Sequence, residues 1–229
     1  MNTTSAEVRV LTLGRDGAEL WPGAASEHLE AIVEALADQP GDHAGIRLTG
    51  IPMLSELLGD RGPIGVRVAQ ALGPAARAVR MILFDKSAAT NWALGWHQDR
   101  TIVVRNRQEV PGFGPWTMKS GLLHVAPPTD LLERMRTIRI HLDPVPATNA
   151  PLLVAPGSHL LGRVSEAEIE HAVSRHGAVA CLAEPGDIWA YSTPILHASD
   201  AAAEPGRRRV LQVDYAAEDL PGGLEWLGI

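Results

Sequence analysis

Apolar positions recur along this chain with two periods, and the change from one to the other divides it. Over residues 26–37, Leu29, Ile32, Val33 and Leu36 fall at helical spacing behind Ser26, a candidate N-cap, and the pattern stops at Pro40-Gly41. A second helix is expected over residues 63–72, closed by Gly73-Pro74. Beyond it the texture is that of strands. Residues 79–84, 101–104, 137–142, 152–155, 179–182, 187–191 and 210–215 are short β-branched or apolar runs separated by Pro and Gly clusters. One helix interrupts them, where Ser165-Glu166-Ala167-Glu168 reads as a capping box and Ile169 and Val173 share a face until Gly177. Helices first and many short strands after predict a mainly β fold with peripheral α-helices, a sandwich or jelly roll. Residues 106–119, with Pro111-Gly112-Phe113-Gly114-Pro115-Trp116, have the length and composition of a covering loop.

Composition narrows the classes. A chain of 229 residues, 45% hydrophobic and 21% charged, suits one large β-rich domain with a sizeable core. The expected division is a mainly helical part over residues 1–78, a barrel core over 79–216 and a tail over 217–229. Net charge is −7 and no basic run exceeds Arg207-Arg208-Arg209, which argues against a nucleic-acid surface. The single cysteine, Cys181, rules out an internal disulfide framework and reads as core filler. No basic segment leads into a long apolar run over residues 1–10, and no window reaches the length of a membrane span, so a cytoplasmic protein without a membrane partner is expected.

The chemistry concentrates at Trp96-His97-Gln98-Asp99. In an extended segment His97 and Asp99 point to one face, where an imidazole and a carboxylate can bind one divalent metal. His197, just beyond the strand that follows Gly186-Asp187, is the candidate third ligand. Two His and one carboxylate on one face of an ion form the facial triad of non-haem iron(II) oxygenases. A His-x-Asp pair alone is weak, and the chain holds a second one, His141-Leu142-Asp143. There Pro144 follows directly, so Asp143 is expected to begin a turn and His141 to lie on a barrel wall. Gly206-Arg207-Arg208-Arg209 leads into the last strand and offers a guanidinium to a carboxylate.

Taken in order, His97-Gln98-Asp99, Ala155-Pro156-Gly157-Ser158-His159, Gly186-Asp187, His197-Ala198-Ser199 and Arg208 resemble the phytanoyl-CoA dioxygenase-like oxygenases, from about residue 84 to 216. The resemblance implies a double-stranded β-helix (a cupin-like jelly roll) with iron at one end of the barrel. It implies an Fe(II)- and 2-oxoglutarate-dependent dioxygenase acting on a small-molecule substrate with O₂ and releasing succinate and CO₂. Carried over by position, His97, Asp99 and His197 are the catalytic iron ligands; Arg208, Ser199 and Gln98 lie at the co-substrate. Arg209 rivals Arg208, because a one-residue slip exchanges their faces. The family includes halogenases in which a small residue replaces the carboxylate ligand; Asp99 is present here, which favours hydroxylation. Lys86, Asn91, Trp92, Trp96 and Trp116 are further candidates for the pocket, and His159 for shaping its turn. Two other readings stand beside this one: another cupin-type metalloenzyme, such as an isomerase or a dioxygenase needing no 2-oxo acid, and a jelly-roll binding protein without catalysis.

Overall fold

The structure, a computed structural model, is described over residues 10–40 and 45–229. The segment examined for a leader therefore lies almost wholly outside the described residues, as does Gly41. Helical turn α1 (Leu13–Asp16) ends at Gly17, whose φ of 74° turns the chain into strand β1 (Ala18–Trp21). There follow α2 (Leu29–Ala35), β2 (Ile46–Leu48), α3 (Pro52–Leu58) and α4 (Pro63–Leu72). The remaining strands are β3 (Arg77–Lys86), β4 (Leu94–His97), β5 (Ile102–Val104), β6 (Trp116–Lys119), β7 (Leu122–Val125), β8 (Arg136–His141), β9 (Leu152–Val154), β10 (Val179–Cys181), β11 (Ile188–Ser192), β12 (His197–Ser199) and β13 (Arg208–Ala216). Helix α5 (Thr129–Glu133) precedes β8, and α6 (Ile169–His176) lies between β9 and β10.

The main sheet has the order β1-β11-β8-β13-β3-β2, antiparallel throughout. A four-stranded sheet, β10-β9-β12-β4, packs against it through Leu152, Val154 and Cys181 on one side and Trp189 and Tyr191 on the other. Period-two alternation then divides the long strands. Met81, Leu83, Ile138, Ile140, Leu211 and Val213 face outward and bury against Ile32, Leu54, Leu58, Ile64 and Val68 of the helices. Helices α3 and α4 meet so closely that a Cβ on Gly65 would lie 1.8 Å from the Gly59 carbonyl oxygen. The alternate residues of β3, β8 and β13, among them Arg80, Arg139, Arg208, Gln212 and Asp214, point into the barrel and are buried there. A third sheet, β5-β7-β6, lies at the mouth.

The jelly roll expected from the chain is present, and the long strands stand within a few residues of their expected bounds. Four details differ. Residues 18–21 and 46–48, expected in a mainly helical part, supply the two edge strands of the main sheet; runs of four and three residues are too short for periodicity to reveal. Ser26 does not cap α2: residues 26–28 form a 3₁₀ turn, and the Ser26 side chain packs against Gly186, where a Cβ would meet its Oγ at 2.4 Å. Ser165 forms no capping box either, because its hydroxyl donates to the Glu168 carboxylate at 2.6 Å instead of receiving a backbone N–H. The expected covering loop is partly a strand, β6, which pairs with β7.

Truncating Ile138 or Ile140 to Ala, both fully buried between sheet and helices, is expected to lower stability by about 2–5 kcal/mol in urea unfolding, without changing the unfolding slope.

Candidate metal centre and cavity

Strand β12 pairs antiparallel with β4 so that His197 stands directly opposite His97. The two rings lie 4.2 Å apart between centroids, and Asp99, two residues past His97, returns to the same face. One ligand atom from each of His97, Asp99 and His197 lies within 4.8 Å of the others. Chemistry of the second ring nitrogen fits metal binding: His97 Nδ1 is 2.8 Å from Gly95 O and His197 Nδ1 3.0 Å from Ile195 O. A carbonyl can only accept, so each Nδ1 carries the proton and each Nε2 keeps its lone pair for an ion. Burial, then the neighbouring His97, pushes His197 down to about 4, so it is neutral at pH 7. Burial alone would raise the Asp99 carboxyl, but Arg80 and the two imidazoles outweigh it and hold the group below the usual range.

Arg80 fixes that carboxylate. Its Nε donates to Asp214 Oδ2 at 2.5 Å, and its Nη2 lies 3.7 Å from Asp99 Oδ2. Asp214 also accepts from Thr137 Oγ1 at 3.1 Å. A chain of buried polar groups thus runs from β8 and β13 through β3 to the ligand loop. These partners satisfy one another, which is what makes so polar a barrel interior tolerable.

The three side chains open onto a cavity of about 180 Å³. At its far end stand Arg208, Lys86 and Ser199. Arg208 Nη1 donates to the Ala150 carbonyl, while its Nε is buried without a partner. Lys86 Nζ donates to Trp92 O at 2.6 Å, Asp200 O at 3.1 Å and Ser199 Oγ at 3.2 Å. Among the described residues no carboxylate pairs with either cation. Burial, with help from Arg139, lowers Arg208 to about 9; burial, with help from Arg208 and Arg139, lowers Lys86 to about 8. Arg139 also faces the cavity, with its Nε on Gln212 Oε1 at 3.1 Å and its guanidinium over Phe84. The far end thus holds two buried cations that no carboxylate among the described residues neutralises.

Several candidates separate cleanly. Arg209 faces away, where its Nε and Nη2 clasp Asp143 at 2.9 and 2.8 Å; Arg207 is exposed and reaches Asp85 at 3.3 Å. The second His-x-Asp pair is dismantled by the same bond: Asp143 belongs to Arg209, and His141 is buried, neutral and outside the triad, pushed down to about 3 by burial and the neighbouring Arg139 and Arg208. Gln98 points away from the cavity. Its amide nitrogen donates to Gly162 O at 2.9 Å and Pro194 O at 2.8 Å, and its oxygen accepts from Val164 N at 2.9 Å. Its hydrogen bonds go to the loops, because alternation that brings His97 and Asp99 together sends the residue between them outward. Asn91 is a clamp on Ala202. Trp92 lines the inner cavity and Trp96 an outer cleft of about 800 Å³ that shares His97 and Asp99; Trp116 instead packs in the core beside β5 and β7. His159 covers Gly17, away from the triad. Arg80, Arg139, Arg47 and His124 escaped the sequence reading. Arg80 and Arg139 showed there only as charged interruptions of otherwise apolar strands, which is the signal that could have found them.

The model of the family described as phytanoyl-CoA dioxygenase matches residues 64–210. No curated protein matches the chain. Among solved structures the chain is similar to EctD from S. alaskensis, at 18% identity over 95% of this chain and 78% of that one, with a TM-score of 0.63. It is similar to HygX from Streptomyces hygroscopicus, solved with nickel and 2-oxoglutarate bound, at 15% identity over 89% and 84%, TM-score 0.59. It is similar also to SnoK, a non-heme alpha ketoglutarate dependent carbocyclase from nogalamycin biosynthesis, at 16% identity over 99% and 88%, TM-score 0.62. At these identities the likeness is one of fold.

Two measurements check the geometry. Replacing His97, Asp99 or His197 with Ala is expected to abolish tight Fe(II) binding in anaerobic equilibrium dialysis, whereas His141→Ala retains it; the reverse pattern would move the centre. Lys86 tests the far end. Its pKa falls from 10.5 unfolded to about 8 folded, so the folded chain binds fewer protons across that window and gains stability as pH rises through it. Lys86→Met is therefore expected to stabilise the ligand-free chain most below pH 8, with the difference from wild type shrinking toward pH 10.5 in thermal melts.

Proposed function

The chain belongs to the phytanoyl-CoA dioxygenase family, and from that premise we propose that it is an Fe(II)- and 2-oxoglutarate-dependent dioxygenase that hydroxylates a small-molecule metabolite, releasing succinate and CO₂. The observation that carries this is the pairing of a two-His, one-carboxylate cluster with an acid-free Arg208–Lys86 receptor at the two ends of one cavity. In this reading His97 Nε2, His197 Nε2 and one Asp99 oxygen hold the metal. Iron, when bound with the 2-oxo acid, supplies O₂ activation coupled to oxidative decarboxylation. Arg208 and Lys86 take the distal carboxylate, and Ser199 holds the Lys86 ammonium in place. Arg80 keeps Asp99 ionised and oriented. Ile82, Phe84 and Trp92 keep the cavity wall apolar and limit water.

Hydroxylation is favoured over halogenation by ligand count. His97, Asp99 and His197 would together supply three protein ligands to the iron, and the Asp99 carboxylate would occupy the place that a halide needs. A metalloenzyme needing no 2-oxo acid would have no use for Arg208.

The deciding experiment is anaerobic addition of Fe(II) and 2-oxoglutarate, read as the weak visible charge-transfer band of the chelate. The band is expected in wild type. Arg208→Ala is expected to raise the 2-oxoglutarate requirement by about 30-fold or more, a loss of about 2–5 kcal/mol, with iron binding intact. Arg209→Ala is expected to leave it unchanged, and a large effect there with none at Arg208 would defeat the assignment. With a substrate in hand, turnover under ¹⁸O₂ in excess chloride is expected to put label in both product and succinate; chlorinated product as the main species would refute hydroxylation.

A further inference from the structure

The cavity holds more positive charge than the proposed co-substrate uses. Arg80 is paired with Asp214 and Asp99, and among the described residues Asp99 is the one carboxylate on the wall. Arg208 and Lys86 stand at one end and Arg139 in the middle, while Arg47, Lys119 and His124 form a separate group at the mouth. A 2-oxo diacid, with one carboxylate on the metal and the other at Arg208, leaves the mouth group unspent. The chain as a whole is acidic, so this local excess does not follow from composition.

The mouth group is built rather than scattered. Arg47 pairs with Ile82, a cavity-lining residue, and so projects inward from β2. Its Nη1 donates to Ser120 Oγ at 2.9 Å in the turn between β6 and β7, which draws that hairpin over the mouth, while its Nε is buried without a partner. His124, on the same hairpin, is 1% exposed. Its Nδ1 donates to Leu122 O at 3.0 Å, which leaves Nε2 as a buried acceptor without a partner. Burial first, then Arg80, Arg47 and Lys119, lower its pKa and keep it neutral. Arg47 Nε and His124 Nε2, one a donor and one an acceptor, are buried without a partner among the described residues, and with the Lys119 ammonium they suit an anion that carries a hydroxyl. Lys119 also borders the outer cleft, whose wall includes Glu166 and Glu170, but neither acid lines the cavity, and Glu166 is 3.5 Å from Arg100.

We propose that the substrate carries an oxyanion, a carboxylate or a phosphate monoester, held at the cavity mouth by Arg47 and Lys119, with His124 Nε2 accepting from a hydroxyl beside it. The oxyanion satisfies the Arg47 guanidinium, and the hydroxyl satisfies the imidazole. Hydrogen phosphate presents both features in one ion. Calling this ligand the substrate rests on the oxygenase reading above; the anion site itself does not.

The test uses the full chain, metal-free, so that it succeeds or fails independently of the iron chelate band. Inorganic phosphate and propionate are titrated separately by calorimetry into wild type, Arg47→Gln, Arg47→Lys, Lys119→Gln and Arg208→Gln. The expected result is a saturable event, with at least one of the two probes, that Arg47→Gln weakens about tenfold and Lys119→Gln about threefold, as the loss of a charge-assisted hydrogen bond predicts. Arg47→Lys retains more of it than Arg47→Gln, and Arg208→Gln leaves it within about twofold. Which probe binds tells phosphate from carboxylate. Absence of any event sensitive to Arg47, or loss of all binding in Arg208→Gln alone, overturns the proposal, because the anion would then occupy only the far end. Should Arg47→Gln fail to fold in thermal melts, Lys119→Gln, at an exposed position, decides by the same criterion.

Discussion

The site depends on the antiparallel register of two very short strands. Strand β12 contributes three residues and β4 four, yet their pairing puts His197 opposite His97. A slip of one residue would turn one imidazole out of the barrel and leave no cluster. Such short strands carry little stability of their own. The pairing persists because β12 is also held by β9, and because Leu196 N bonds the buried Ser158 Oγ at 2.9 Å and Ala155 N bonds Leu196 O. The Pro-Gly-Ser-His turn thus serves the centre by fixing the chain just ahead of His197.

Around that register the barrel tolerates an unusual interior. Arginines from β3, β8 and β13 and a lysine from β3 point inward, and two aspartates answer them. Arg80 is satisfied twice over, and Arg139 finds Gln212, which also accepts from Tyr191 Oη at 3.3 Å. Among the described residues Arg208 and Lys86 have only carbonyls and a hydroxyl as partners. Folding thus holds positive charge in a place where only an anion can neutralise it, and the outer hydrophobic layer between sheet and helices supplies the stability that permits this.

Much of this was legible in the chain. Strand texture gave the barrel, the spacing in His97-Gln98-Asp99 gave two members of the cluster, and the order of motifs pointed to His197 and Arg208. Alternation could not choose between Arg208 and Arg209; Asp143, sixty-six positions earlier, does so by binding Arg209. Gln98, expected at the co-substrate from the resemblance, sends its amide to the loops, in line with period two. Arg47 and His124 come from a three-residue strand and a four-residue hairpin strand, segments too short to show a face. Their meaning exists only once β2 and the hairpin meet across the mouth, which is tertiary information.

The outward turn of Gln98 has a thermodynamic consequence. Its amide ties the ligand strand to Gly162, to Val164 and to Pro194, three residues before His197. Both arms of the centre are therefore locked to the same pair of loops by bonds that involve no ion. The conformational entropy of gathering the three ligands is lost when the chain folds, not when the ion arrives. For an ion held there as proposed, capture would draw on dehydration rather than on rearrangement of the backbone.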